Sequence, residues 1–120
     1  MILKNNNLKI KIDLLTKIST KIKSFKFKLT DIENGICFPK KKILNTYLFC
    51  QKVDVIFTNK NNKVLKVLNN VDSEKIIFGP KKTFYIYILK NNSINDIKSD
   101  DILSIDYTKE ELQYLKRFQK

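Results

Sequence analysis

Residues 45–68, NTYLFCQKVDVIFTNKNNKVLKVL, decide how this chain is read. Val53 to Thr58 is dense in β-branched and aromatic residues, and so is the run 43–49, so both read as strands. Asn59-Lys60-Asn61-Asn62 supplies turn chemistry, and residues 63–68 then pair back as the second arm of a hairpin. One acid, Asp54, stands between Val53 and Val55 inside an otherwise apolar strand. Burying an unpaired carboxylate costs several kcal/mol, so Asp54 needs a partner or a task.

The same short-strand pattern continues outward. Residues 8–12 alternate apolar and basic side chains, as a half-buried strand does. Asp13 is placed to cap a short N-terminal helix whose stripe is Leu14, Leu15, Ile18, Ile22 and Phe25. Residues 25–29 return to alternation, and 31–35 read as a turn in which Gly35 permits a positive φ. Residues 36–38 are a brief apolar run stopped by Pro39. Beyond the hairpin, 69–74 read as a polar connection and 75–78 as a short strand ended by Gly79-Pro80. TFYIYIL, residues 83–89, is the most apolar strand and the expected centre of the sheet. Its alternation puts Tyr85 and Tyr87 on one face, expected to be partly exposed, with Phe84, Ile86 and Ile88 on the other. Residues 91–97 read as a turn or one helical turn, and 101–106 as a last strand. Thr108-Lys109-Glu110-Glu111 is a capping box that opens a C-terminal helix, with Leu112 and Leu115 as its stripe. That helix is too short to stand alone and must dock on the body or on a partner. The expected architecture is therefore mainly β (α+β): a compact antiparallel or mixed β-barrel-like sheet with a short helix near each end. Residues 1–107 form the β-rich domain and 108–120 the docked helix.

Composition narrows the function classes. There are 120 residues, enough for one domain with one sizeable core. With only two glycines, Gly35 and Gly79, a glycine-rich phosphate loop has no material. The chain has no histidine, and Cys37 and Cys50 lack the spacing of a zinc or redox motif. No metal or cofactor is expected, and the two thiols are expected to be reduced and mostly buried. No catalytic constellation is legible, so an enzyme is the lesser expectation. No apolar run reaches the length of a membrane span, and a cytoplasmic protein is expected.

The net charge is +12, of which residues 1–52 carry +9. Such a balance points to an acidic partner or to nucleic acid. Yet 23 of the 24 cations are lysines, and planar, bidentate readers of phosphate and bases are arginines. The bias toward Lys, Asn and Ile is also what A/T-rich codons produce, which weakens composition as a functional signal.

From Gly35 onward the pattern resembles the prokaryotic domain-of-unknown-function family 192. The counterparts are Gly35-Ile36-Cys37-Phe38, then Asn45-Thr46, then Val53-Asp54-Val55-Ile56-Phe57. Residues 63–68, Asn70-Val71 and 83–89 follow in register, and Ser99-Asp100 stands where the family closes with Gly-Asp. The resemblance implies a small, compact, barrel-like β domain without an established activity. The chain departs from the family at Phe49-Cys50-Gln51-Lys52 and at residues 88–92, and Ser24 and Ser99 stand at family glycines.

Two surfaces are candidates for function. Asn45, Thr46 and Asp54 are polar side chains within apolar strands and could share one cleft. The structural alternative is that Asp54 bonds backbone N–H groups and that Asn45 and Thr46 bond backbone at a bulge. The second surface combines the basic loop Lys40-Lys41-Lys42 with Tyr85 and Tyr87 as base-stacking aromatics for nucleic acid. Its structural alternative is a solvated loop and a core strand. Asp96, Asp100 and Asp101 are too few and too loosely placed for a cation site.

Overall fold

The computed structural model describes residues 1–5, 8–14, 35–39, 43–45, 52–72, 76–90 and 97–116. Among these lie nine strands: β1 (Ile2–Asn5), β2 (Leu8–Leu14), β3 (Gly35–Pro39), β4 (Ile43–Asn45), β5 (Val53–Thr58), β6 (Val64–Val71), β7 (Ile76–Phe78), β8 (Tyr85–Lys90) and β9 (Ser104–Asp106). One helix, α1 (Lys109–Lys116), follows them.

The β5–β6 hairpin forms around Asn59. Its side-chain oxygen accepts the backbone N–H of Asn61 at 2.9 Å and of Lys63 at 3.0 Å, which fixes the turn. Asn62 closes it with a φ of 62°, a conformation asparagine tolerates better than most residues. β8 lies beside β5, so the seven-stranded order is β6-β5-β8-β3-β2-β1-β9. Every neighbour is antiparallel except β2 and β3.

The sheet curls into a half-barrel whose two edges meet at one end. There Val64 N–H donates to Asp101 O at 2.7 Å, Asp100 N–H to Val64 O at 2.8 Å, and Leu103 N–H to Asn62 O at 2.9 Å. Inside the curl, Leu3, Ile12, Cys37, Ile56, Tyr85, Tyr87 and Leu89 pack with Leu115 of α1. The outer side carries a second cluster of Ile36, Phe38, Val53, Val55, Phe57, Ile86 and Ile88. A separate antiparallel pair, β4–β7, lies over it, with Ile77 packed against that cluster. β5 and the first five residues of β8 are consequently buried on both faces, which is why their sequences read as near-continuous apolar runs.

Several expectations change. Tyr85 and Tyr87 are 1% and 0% exposed, because a central strand covered on both sides has no solvent face. Phe84 belongs to the inner cluster, not to the face of Ile86 and Ile88. β4 pairs with β7, so the strands around Asn45 and Asp54 are not neighbours. β6 runs on to Val71, through the first residues of the expected polar connection. Asp13 and Leu14 belong to β2, paired with Ile36 and Cys37, so Asp13 is no helix cap. The remainder of the expected N-terminal helix, and the strand at 25–29, lie outside the described residues. Gly35 opens β3 without a positive φ. It answers instead to close packing, since a Cβ there would press on Leu89 Cδ2 and stand 3.3 Å from Ile88 O. On α1, Leu115 is buried while Leu112 is 43% exposed.

Candidate functional site

Asp54 is fully buried, and its surroundings explain why. Across β5 and β6, Val53 faces Val71 and Val55 faces Leu68, so Asp54 is opposed by two residues, Asn69 and Asn70. This is a β-bulge. Asn70 takes a φ of 57°, and its backbone N–H donates to Asp54 Oδ1 at 3.0 Å. The carboxylate thus satisfies a donor that the irregular ladder leaves over. Asn45 sits in β4, in the other sheet. Thr46 and Lys40-Lys41-Lys42 lie outside the described residues.

The buried tyrosines form a polar seam within the inner core. Tyr87 donates its hydroxyl to Asn62 Oδ1 at 2.5 Å, and Asn62 Nδ2 donates to Tyr107 Oη at 2.9 Å. Cys37 is a free thiol within hydrogen-bonding reach of Tyr87. Burial pushes both the Cys37 thiol and the Tyr87 phenol far up, so both stay protonated at physiological pH. Tyr107, half buried, is also raised by burial. A protonated thiol and phenol tied into a seam serve packing, not nucleophilic chemistry.

At α1, the capping box is formed in both directions. Thr108 N–H donates to Glu111 Oε1 at 2.9 Å, and Glu111 N–H donates to Thr108 Oγ1 at 3.2 Å. Glu111 Oε2 also accepts the Met1 ammonium at 3.1 Å. Partial burial alone would raise the Glu111 carboxyl. The bond from Thr108 N–H and the ammonium outweigh it and hold the group below its usual range.

The outer face of β1, β2 and β9 is left in solvent. Because Leu3, Ile10, Ile12 and Ile105 point inward, Ile2, Lys4, Lys9, Lys11, Ser104 and Asp106 point outward. Register sets Lys4 directly opposite Lys9, and Ile2 between Lys11 and Asp106. Lys4 Nζ pairs with Asp106 Oδ2 at 2.5 Å. Lys9 and Lys11 are exposed and carry no ion pair among the described residues.

Two solved bacterial structures share this fold. One is a protein of unknown function from Novosphingobium aromaticivorans, 15% identical, with a TM-score of 0.68 over 87% of this chain and 82% of that one. The other, from Sinorhizobium meliloti, is described as a "putative transcription regulator"; it is 12% identical, with a TM-score of 0.72 over 86% of this chain and 89% of that one. At such identities the likeness is one of fold. No family model matches the chain, and no curated protein matches it.

Sequence reasoning missed two features that now stand out. Asn62 and Asn70 adopt left-handed backbone, for which the Asn-Asn pairs were the available signal. Phe78 is 68% exposed and Ile76 54%, although the sequence shows them simply as strand residues. Among the described residues no cluster of three or more Asp, Glu, Cys or His could hold a metal, and no helix is long and apolar enough to cross a membrane.

Proposed function

We propose that this chain is a non-enzymatic binding domain that holds an acidic partner on the outer face of β1 and β2. One observation carries the reading: Lys9 and Lys11 stand exposed on that face without an ion pair among the described residues, beside Lys4, which Asp106 already pairs. Lysines without a counter-charge of their own are the ones a polyanion can neutralise, with release of its bound counterions. The described buried ionisable groups support binding over catalysis, because Asp54, Cys37 and Tyr87 all make bonds that hold the fold. A regulator of transcription, as the Sinorhizobium meliloti protein is described, is in keeping with a polyanionic partner. The register of Gly35, Asp54 and the β5–β6 hairpin further suggests a divergent member of family 192.

The test is retention on immobilised heparin, with elution followed against salt. The wild-type chain should elute late, and Lys9→Glu/Lys11→Glu clearly earlier, with unchanged circular dichroism. A variant that elutes with the wild type removes this face as the binding surface. A wild-type chain that is not retained removes the reading altogether.

A further inference from the structure

We propose that the acidic partner is single-stranded nucleic acid and that Phe78 is the side chain on which a base stacks. The inference rests on the binding reading above and names its partner. β7 is held down on the outer cluster through Ile77. Period-two alternation then turns Ile76 and Phe78 the other way, and they are 54% and 68% exposed. A phenylalanine so exposed, at the end of a strand anchored through Ile77, offers its ring face to solvent.

Cations gather beyond it in the chain. Phe78 is followed by Gly79-Pro80 and then Lys81 and Lys82, both exposed and without an ion pair among the described residues. Thr83 N–H donates to Pro80 O at 3.0 Å, which folds residues 80–83 into a turn carrying the two lysines at its tip. Phe84 N–H donates to Thr58 O at 2.8 Å, so the β5–β6 hairpin leaves the sheet beside that turn. Lys60 of the hairpin lies 5.8 Å from the Phe84 ring centroid. Lys81 and Lys82 thus follow Phe78 by three and four residues, and Lys60 lies on the hairpin that is bonded to the same loop at Phe84.

An aromatic face flanked by lysines is the arrangement that engages single strands, because every unpaired base offers a π-face and every phosphate a charge. A duplex keeps its bases stacked on each other and cannot present them to Phe78. Lysine suits this task as a point charge, since no base edge has to be read. Two apolar side chains offer little area for burial among lipid tails, which places an anionic membrane second.

The experiment is fluorescence anisotropy with a labelled oligothymidylate, a duplex of equal length, and vesicles containing an anionic lipid, at about 50 and about 200 mM salt. The wild-type chain should favour the single strand over the duplex at the higher salt. Phe78→Ala should lose about tenfold or more on the single strand and nothing on the duplex, with Phe78→Tyr retaining affinity. Lys81→Glu/Lys82→Glu should weaken both. Phe78→Ala binding the single strand like the wild type, while Lys9→Glu/Lys11→Glu weakens it, overturns the platform and leaves the basic face standing. Retention on heparin without binding to either oligonucleotide overturns the choice of partner alone. Binding confined to vesicles, lost in Phe78→Ala, assigns the surface to a membrane and overturns the nucleic-acid inference. Phe78 is exposed, so its variants should keep the wild-type urea midpoint.

Discussion

At the scale of single residues, polar side chains in this chain compensate for backbone irregularity. Asp54 would be a puzzle in a regular strand, but at the bulge it accepts the N–H of Asn70. Asp54→Ala removes a buried carboxylate and leaves the part-buried Asn70 N–H without it, a loss of about 1 kcal/mol or more. Asp54→Asn keeps an acceptor and should lose less. Urea unfolding of the two variants checks the order, and an alanine variant as stable as the wild type would sink the bulge role. Cys37 gives a second residue-scale prediction. Because burial raises its pKa and excludes reagents, the thiol in a Cys50→Ser background should resist a disulfide reagent from pH 7 to 9. It should react only after denaturant is added, and fast labelling of the folded protein would contradict its placement.

At the scale of elements, α1 illustrates how local signals and tertiary contacts add. Its capping box is legible as Thr108-x-x-Glu111, and both reciprocal bonds form. Thr108→Ala should cost about 1 kcal/mol, read from the thermal or urea midpoint. The pH dependence has a definite sign. The Glu111 carboxyl is held below its ordinary value of 4.5, so its contribution is complete above about pH 4.5 and disappears as pH falls through the lowered value. Glu111→Gln should therefore be less stable than the wild type at neutral pH, and the gap should close under acid. A gap that stays constant from pH 7 to pH 3 would contradict the pairing. The box could be read in the sequence because all its atoms lie within four residues. Its bond to the Met1 ammonium could not, since 110 residues separate the partners.

At the scale of the molecule, the half-barrel depends on a seam between residues distant in sequence. Asn62 bridges Tyr87 to Tyr107, while its carbonyl and Val64 take part in the backbone bonds that join the sheet edges. Asn62→Ala removes both side-chain bonds and places a β-carbon residue without a compensating amide at a φ of 62°. The expected loss is about 1–3 kcal/mol, with faster hydrogen exchange at Val64 and Leu103. Asn62→Gly restores the backbone preference alone, so it should recover part of the stability and little of the exchange protection. Wild-type protection in Asn62→Ala would show that the backbone bonds close the edge unaided.

How far the sequence reached follows from the range of each interaction. The β5–β6 turn, the capping box and the apolar density of β8 are written within a few neighbouring residues, and those were legible. The acid at Asp54 was visible as an anomaly, but the donor that answers it is Asn70, on the other arm of the hairpin. Tyr85 and Tyr87 were misread because alternation shows only that two faces exist, not that both are covered. Covering the outer face needed β4 and β7 to pair over it, a contact between strands that begin at residues 43 and 76. The same pairing turns Phe78 outward. Local propensity and patterning thus determined that this chain makes short strands, a tight hairpin and a capped helix. Which aromatic meets water, which carboxylate is satisfied and where the sheet closes were decided by tertiary packing, because those outcomes depend on surfaces that exist only once distant strands have met.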